Sequence, residues 1–472
     1  MSDAGALRCD VAVIGAGTAG LAAERAARGN GATTLLIDPE FGGTTCATVG
    51  CMPSKLLIAA AKARHEVSHA ELFGIRVGEV AVDEDAVLDR IRTERDRFVT
   101  LTKESIDDIP ENVRITGRAR FEKPGLLRLD DGRRVEPRAI VIATGSRPTI
   151  PDAFAALGDR ALTNETVFEL KRLPQRLAVI GSGALGLELA QAFARLGVKV
   201  AMFDNAQTMA GLRCPRVHKA LETIIARDVN LHLGVEARPE LRDNGVSLRW
   251  SGASQGEAMF DKVLVAVGRP PVLDGLDIAE AGLALDDHGV PCHSRDTMRC
   301  GDSNVFLAGD VAADQPLLHE ASHDGAIAGR NAAAWPTPIG VERQVPFSII
   351  FTDPQVVRIG QSEADGAVSG TTDFADQGRA RVEARNEGAL TLYAAAPDGV
   401  LIGADLVAPA GEHLGHLLAW VIQQKMTATQ VLQLPFYHPT IEEGLKDALR
   451  MVCAATPIPI PDNQDTGSPA GA

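Results

Sequence analysis

At 472 residues, with 45% apolar and 23% charged side chains, the chain has the composition of a globular protein and room for about three domains of roughly 150 residues each. No apolar run reaches the roughly 18 residues that a membrane span needs, and the opening Met-Ser-Asp-Ala-Gly-Ala-Leu-Arg lacks the charged-then-apolar pattern of a secretion signal, so a cytoplasmic location is expected. A net charge of −15 argues against broad binding to nucleic acid or to an anionic membrane. Seven scattered cysteines are an odd number and too sparse for a secreted disulfide framework. In a reducing compartment, a close cysteine pair points to redox or metal chemistry instead.

The first elements in chain order form a nucleotide-binding unit. Residues 10–38 read as an apolar strand, a G-x-G-x-x-G loop (Gly15, Gly17, Gly20), an Ala-rich helix and a second strand ending in Asp38. The first two glycines let the backbone turn and approach a pyrophosphate, and the third lets helix and strand pack closely. The helix start offers unpaired N–H groups to the phosphates, and the terminal acid can accept from ribose hydroxyls.

Next come Cys46 and Cys51, in Gly43-Thr-Thr-Cys-Ala-Thr-Val-Gly-Cys-Met-Pro-Ser-Lys55. The run from Cys51 predicts a helix with Pro53 in its first turn, whose positive end favours a thiolate. An undistorted helix would advance about 7.5 Å over five residues, beyond the Cα separation of a disulfide. Gly50 and Pro53 are expected to supply the distortion that brings the sulfurs together.

Residues 176–204 repeat residues 10–38 without gaps, with ten of 29 positions identical. The second loop carries Gly181, Gly183 and Gly186, and its strand ends in Asp204, 23 residues after the first glycine in both copies. Two such units in register indicate two dinucleotide sites. Asp204 repels a 2′-phosphate, and the following Asn-Ala-Gln-Thr has no cation to hold one, so NAD(H) is favoured over NADP(H).

Two later motifs suggest metal binding. His319-Glu-Ala-Ser-His323 fits H-E-x-x-H, and His413 and His416 are three apart; both read better as helix faces, and no metal is expected. Cys9, Cys214, Cys292, Cys300 and Cys453 have no catalytic spacing.

Taken together, these residues resemble the class I pyridine nucleotide-disulfide oxidoreductases, the flavin disulfide reductases, over about residues 8–452. The likeness extends to Ile140-Val-Ile-Ala-Thr-Gly-Ser-Arg-Pro148, Asp261-Lys-Val-Leu-Val-Ala-Val-Gly-Arg269, Val305-Phe-Leu-Ala-Gly-Asp-Val311 and Phe436-Tyr-His-Pro-Thr-Ile-Glu-Glu443. It implies an α/β fold with two Rossmann-like domains, for FAD and NAD, and a C-terminal α+β dimerisation domain. The implied boundaries are 1–150 and 272–338 for the FAD domain, 151–271 for the NAD domain and 339–456 for dimerisation. Residues 457–472 are expected to form a mobile tail.

The resemblance also assigns site residues. FAD falls to Gly15, Gly17, Gly20, Asp38, Thr45, Lys55, Thr144, Gly145 and Asp310, the last on the ribityl chain. Gly181, Gly183, Gly186 and Asp204 fall to NAD, Gly268 to NAD or the flavin's surroundings, and Glu188 pairs Lys55 beside the flavin. Cys51 matches the thiol next to the flavin and Cys46 the interchange thiol. His438 matches the base and Glu443 its orienting carboxylate, supplied across a homodimer.

The implied reaction moves electrons between NAD(H) and a dithiol or disulfide. With no N-terminal metal-binding domain, no C-terminal redox pair and an NAD-type acid, the chain is most similar to the dihydrolipoamide dehydrogenases. Dihydrolipoamide + NAD+ = lipoamide + NADH is therefore the expected reaction, on a small dithiol or a lipoyl-domain protein. Reduction of a glutathione-like disulfide, a mercuric-reductase-like activity and a non-catalytic NAD-binding redox sensor are the alternatives. Thr44, Thr48, Asp38 and Tyr437 depart from the commonest family pattern, and Thr48 and Tyr437 bear on how a disulfide approaches.

Overall fold

The computed structural model describes residues 6–361 and 366–457; of the expected tail, positions 458–472 lie outside the described residues. The fold is the mixed α/β arrangement expected: two sheets with parallel centres, a small antiparallel meander and a C-terminal antiparallel sheet.

The first sheet is centred on Leu7–Ile14, which pairs in parallel with Thr34–Asp38 on one side and Arg134–Ile142 on the other. Val305–Leu307 returns much later in the chain to pair in parallel with the end of Arg134–Ile142, placing Leu307 beside Ile142. These central strands are apolar on both faces because helices cover both faces, and Val11, Val13, Ile140 and Phe306 are wholly buried. One covering pair is unusually close. Helices Thr18–Gly29 and Leu318–Ala333 cross where a Cβ on Gly325 or Gly329 would lie 2.2 or 2.1 Å from a carbonyl oxygen of the other helix.

The second sheet repeats the plan with Arg176–Ile180 at its centre, Lys199–Asp204 and Asn230–Leu233 to one side, and Lys262–Val265 to the other. A separate antiparallel meander, Val235–Arg242, Gly245–Gly252 and Gly256–Phe260, lies between Asn230–Leu233 and Lys262–Val265 in the chain and has no counterpart in the expected organisation. The C-terminal sheet orders Phe347–Ile350, Gln355–Gly360, Val400–Ala408, Ala389–Ala395 and Val368–Asp373, all antiparallel. Helices Gly411–Gln423 and Leu445–Ala454 pack against it.

The helix that begins at Cys51 runs to Ser68 and belongs to no single unit. Its Leu57 and Ala61 share a core with Leu187 and Ala190 of the second nucleotide helix and with Ile350 of the C-terminal sheet. The cysteine pair is thus set where all three parts of the chain meet. No helix among the described residues is long and apolar enough to cross a membrane.

Candidate active site

Both glycine loops have the geometry their sequences demand. Gly15 and Gly181 adopt φ of +103° and +102°, and a Cβ at either would lie 2.5 Å from a carbonyl oxygen, of Ala143 or Ala266. A Cβ at Gly20 or Gly186 would strike the carbonyl of Gly15 or Gly181 at 1.8 or 2.1 Å, which makes helix and strand inseparable from the loop. Gly17 and Gly183, by contrast, face open space. They precede helices Thr18–Gly29 and Ala184–Arg195, and no side chain caps either one. Their first N–H groups are left for a ligand.

The two strand-end acids close these loops. Asp38 accepts from the N–H of Ala16 at 2.9 Å through one oxygen and from Glu40 and Phe41 through the other. Asp204 accepts from both the N–H and the hydroxyl of Ser182 at 2.6 Å, and from the N–H of Ala206 at 2.8 Å. Each acid is therefore a brace for its own loop, with only the remaining lone pairs free for a ribose.

The cysteine turn is built from a broken helix. A short helix, Thr45–Thr48, is capped by the Thr44 hydroxyl, and the Thr48 hydroxyl donates back to the Thr44 carbonyl at 3.0 Å. The chain then turns through Val49 and Gly50 and restarts as helix Cys51–Ser68. Gly50 passes so close that a Cβ there would lie 2.9 Å from the Thr45 carbonyl and 3.2 Å from Cys46 Cα. The expected distortion is a clean break at 49–50. Pro53 lies buried in the new first turn. Thr44 and Thr48 hold this cap and do not line the cleft described below.

Both cysteines are free thiols in this structure, the reduced form of the pair. Cys46 donates its proton to Cys51, and this bond is the largest influence lowering the Cys51 pKa from 9.0 to about 6; burial opposes it, and the Lys55 ammonium assists. The same bond, reinforced by burial, pushes the Cys46 thiol up.

A cleft of about 1060 Å³ joins these parts. Gly17, Gly145 and Asp310 line it from the first unit, Gly183, Glu188 and Gly268 from the second, with Thr45, Cys46, Cys51 and Lys55 between them. Lys55 Nζ meets Glu188 Oε2 at 2.7 Å and lies 4.5 Å over the ring of Phe351, whose N–H donates to the other Glu188 oxygen at 2.9 Å. Asp310 accepts from the Ser146 hydroxyl at 2.6 Å. Thr144 is set back from the cleft and spends its hydroxyl on the Val272 carbonyl at 2.6 Å.

His438 and Glu443 form a separate pair. His438 Nδ1 lies 3.0 Å from Glu443 Oε2, and the carboxylate also receives the Thr440 N–H and the Lys446 ammonium. Burial works to raise the Glu443 pKa, but these three donors outweigh it and hold the group below the usual carboxylate range. Neither residue lines the cleft of its own chain, and His438 is about half exposed.

Comparison with known proteins is consistent throughout. Residues 9–326 match the pyridine nucleotide-disulphide oxidoreductase family, and residues 346–449 match its dimerisation domain. A dihydrolipoyl dehydrogenase from Haloferax volcanii is 31% identical over 458 residues, covering 93% of this chain and 95% of the relative. One from Bacillus subtilis is 29% identical, covering 93% and 97%. Among solved structures, the HOCl-induced flavoprotein disulfide reductase RclA of Escherichia coli superposes with a TM-score of 0.80 at 22% identity, over 94% of this chain and 100% of the other.

The chain belongs to the pyridine nucleotide-disulphide oxidoreductase family.

As a member it is an FAD- and NAD(H)-dependent oxidoreductase acting on sulfur groups, and its C-terminal unit is a dimerisation domain. The residues present suit FAD: open glycines at uncapped helix starts for the pyrophosphate, and a cation, Lys55, beside the thiol pair. The H-E-x-x-H residues serve other ends. Glu320 is buried in an ion pair with Arg343 at 2.7 Å, and no cluster of three potential metal ligands occurs among the described residues.

The bonding roles of some residues at the site carry no sequence signal, even where the residues fall in the motif segments quoted above. Asn164, Ser146 and Arg269 line or brace the cleft through bonds that span more than 100 residues, beyond the reach of any local pattern. Phe351, facing Lys55, sits in an apolar run that reads only as strand.

Proposed function

We propose that this chain is a dihydrolipoamide dehydrogenase, oxidising a dihydrolipoyl group on a small molecule or a lipoyl-bearing protein and passing the electrons to NAD+. One observation carries the reading: two thiols, Cys46 and Cys51, with Lys55 beside them, line a cleft shared by two nucleotide loops. The names of the most similar curated relatives support the substrate.

FAD supplies a two-electron carrier between the nicotinamide and the thiols. It would be held by Gly15, Gly17 and Gly20 with Asp38, Gly145 and Asp310, in the unit made of 1–150 and 272–338. NAD would lie on Gly181, Gly183 and Gly186 in 151–271, where Asp204 disfavours a 2′-phosphate. Residues 339–456 would form the dimer.

In the oxidised enzyme, a substrate thiolate attacks the Cys46 sulfur of the Cys46–Cys51 disulfide. A substrate–Cys46 bond forms, the Cys46–Cys51 bond breaks, and Cys51 leaves as a thiolate. A low thiol pKa makes it a good leaving group. His438 of the partner subunit takes the proton of the second substrate thiol, which then displaces Cys46. Substrate departs as a disulfide, Cys46 recovers a proton, and the pair holds the two electrons. Glu443 keeps the imidazole oriented and stabilises its cation.

The test is turnover of the purified enzyme with NADH and lipoamide against NADH and glutathione disulfide. At least about tenfold preference for lipoamide in kcat/KM is expected, corresponding to about 1.4 kcal/mol of transition-state discrimination. Preference for glutathione disulfide would replace the substrate, and turnover surviving Cys46→Ser would overturn the relay.

A further inference from the structure

Between the two cysteines, Val49 ends the short helix Thr45–Thr48, and its carbonyl oxygen is tied to the second nucleotide unit. There it accepts from Asn164 Nδ2 at 3.0 Å. Asn164 is buried, 3% exposed, and its own carbonyl oxygen accepts from Arg269 Nη1 at 3.1 Å. Arg269 in turn donates to the Ser146 hydroxyl at 3.1 Å and the Ser146 carbonyl at 2.8 Å, and that hydroxyl donates to Asp310. The arginine has little freedom, because Ser146 and Pro271 form a β-bridge and the Arg147 N–H donates to Pro270 at 3.2 Å.

We propose that Asn164 is a positioning residue for the thiol pair, a strut that fixes the Cys46–Cys51 turn against the junction of the two nucleotide units through Val49 and Arg269. The inference rests on the redox role proposed for that pair. Its physical basis is that a buried amide satisfied on both ends has one position, whereas the turn it holds is otherwise a two-residue break, Val49–Gly50, between helices. Gly50 gives that break its close approach but no rigidity. A half-buried carbonyl left without its donor would draw the turn toward other partners. The reduced pair needs the turn in one geometry, since the Cys46 proton must reach Cys51. The disulfide, being covalent, holds its own spacing. Loss of the strut therefore penalises the dithiol more than the disulfide.

The experiment measures the dithiol–disulfide equilibrium of the FAD-loaded enzyme against a dithiothreitol redox buffer, by acid quench and differential thiol labelling. Asn164→Ala is expected to shift it about fivefold toward the disulfide, the worth of one hydrogen bond. Asn164→Asp keeps the acceptor for Arg269 but cannot donate to Val49, so it shifts the same way; it also carries the test if the alanine variant does not fold. A role confined to folding would lower the melting temperature and leave the equilibrium in place. Variants that fold, retain FAD and keep the wild-type equilibrium would overturn the strut alone. A wild-type enzyme whose pair NADH fails to reduce would overturn the relay, whatever Asn164 does.

Discussion

Two chemically identical thiols, Cys46 and Cys51, differ in acidity because the hydrogen bond between them runs one way, from Cys46 to Cys51, while Lys55 favours the charged form of both. Cys51 accepts the Cys46 proton and lies near Lys55, so the pair loses its first proton at about pH 6, well below the 9.0 of an isolated thiol. With a depressed value, the thiolate is present above this pH and is lost as pH falls through it. Alkylation of the reduced enzyme should therefore be nearly constant above about pH 7 and fall about tenfold per unit below about pH 6. Lys55→Met removes the cation and should move that midpoint upward; an unmoved midpoint would mean that the Cys46 hydrogen bond acts alone. His438 offers a second residue-scale prediction. Glu443 is held ionised by Thr440, His438 and Lys446 against the cost of burial. Glu443→Gln removes the charge that orients the ring and steadies it once it has taken a proton, so proton uptake from the substrate thiol weakens. In the direction of dithiol oxidation kcat should fall about tenfold, and an unchanged kcat would mean that the carboxylate only holds its own turn. His438→Ala should cost about 10²–10⁴ in the same rate.

At the scale of elements, glycine decides where pieces of the chain may touch. Helix Leu318–Ala333 lies on helix Thr18–Gly29 only because Gly325 and Gly329 expose backbone there, and a Cβ at Gly329 would sit 2.1 Å from the Ala23 carbonyl. Gly329→Ala is expected to cost about 2 kcal/mol or more of stability and to weaken FAD retention, because the first nucleotide helix must move. Gly29→Ala, at the end of the same helix pair but with nothing within 4 Å, should be neutral or stabilising by up to about 1 kcal/mol. Thermal unfolding with and without added FAD checks both. Elements of this kind were the most legible part of the sequence. A glycine whose Cβ would strike a carbonyl leaves a fixed mark at a fixed spacing, and Gly15, Gly20, Gly181 and Gly186 are all of this type. The break between Cys46 and Cys51 was legible for the same reason at Gly50. What the acids do was less so. Asp38 and Asp204 read as ribose ligands, yet each makes three hydrogen bonds of its own, to its glycine loop and to the turn that follows it, since a carboxylate one strand-end away from bare N–H groups meets them first. Asn164 was illegible because its two partners, Val49 and Arg269, are brought to it only by the fold.

On the scale of the molecule, one chain holds all the parts of the site but not in one place. The thiols and both glycine loops share a cleft, while His438, about half exposed, stands on the dimerisation domain beside Tyr437, which is 82% exposed. A buried, hydrogen-bonded carboxylate such as Glu443 is costly to keep for a surface histidine with no work to do. Symmetry resolves this: in a two-fold dimer the histidine of each chain can serve the cleft of the other, so that two half-sites become two whole ones. Mixed dimers separate this arrangement from any in which a chain serves itself. Cys46→Ser and His438→Ala homodimers should each be nearly inactive in dihydrolipoamide oxidation. When the two chains are co-expressed, half of the dimers are mixed if pairing is random. Each mixed dimer has one site with an intact cysteine pair facing an intact histidine, and one site with neither. Activity should therefore return to about a quarter of the wild-type value per chain. Were His438 to act within its own chain, every cleft in the mixture would lack either the thiol or the base. No recovery would then be seen at any ratio of the two variants.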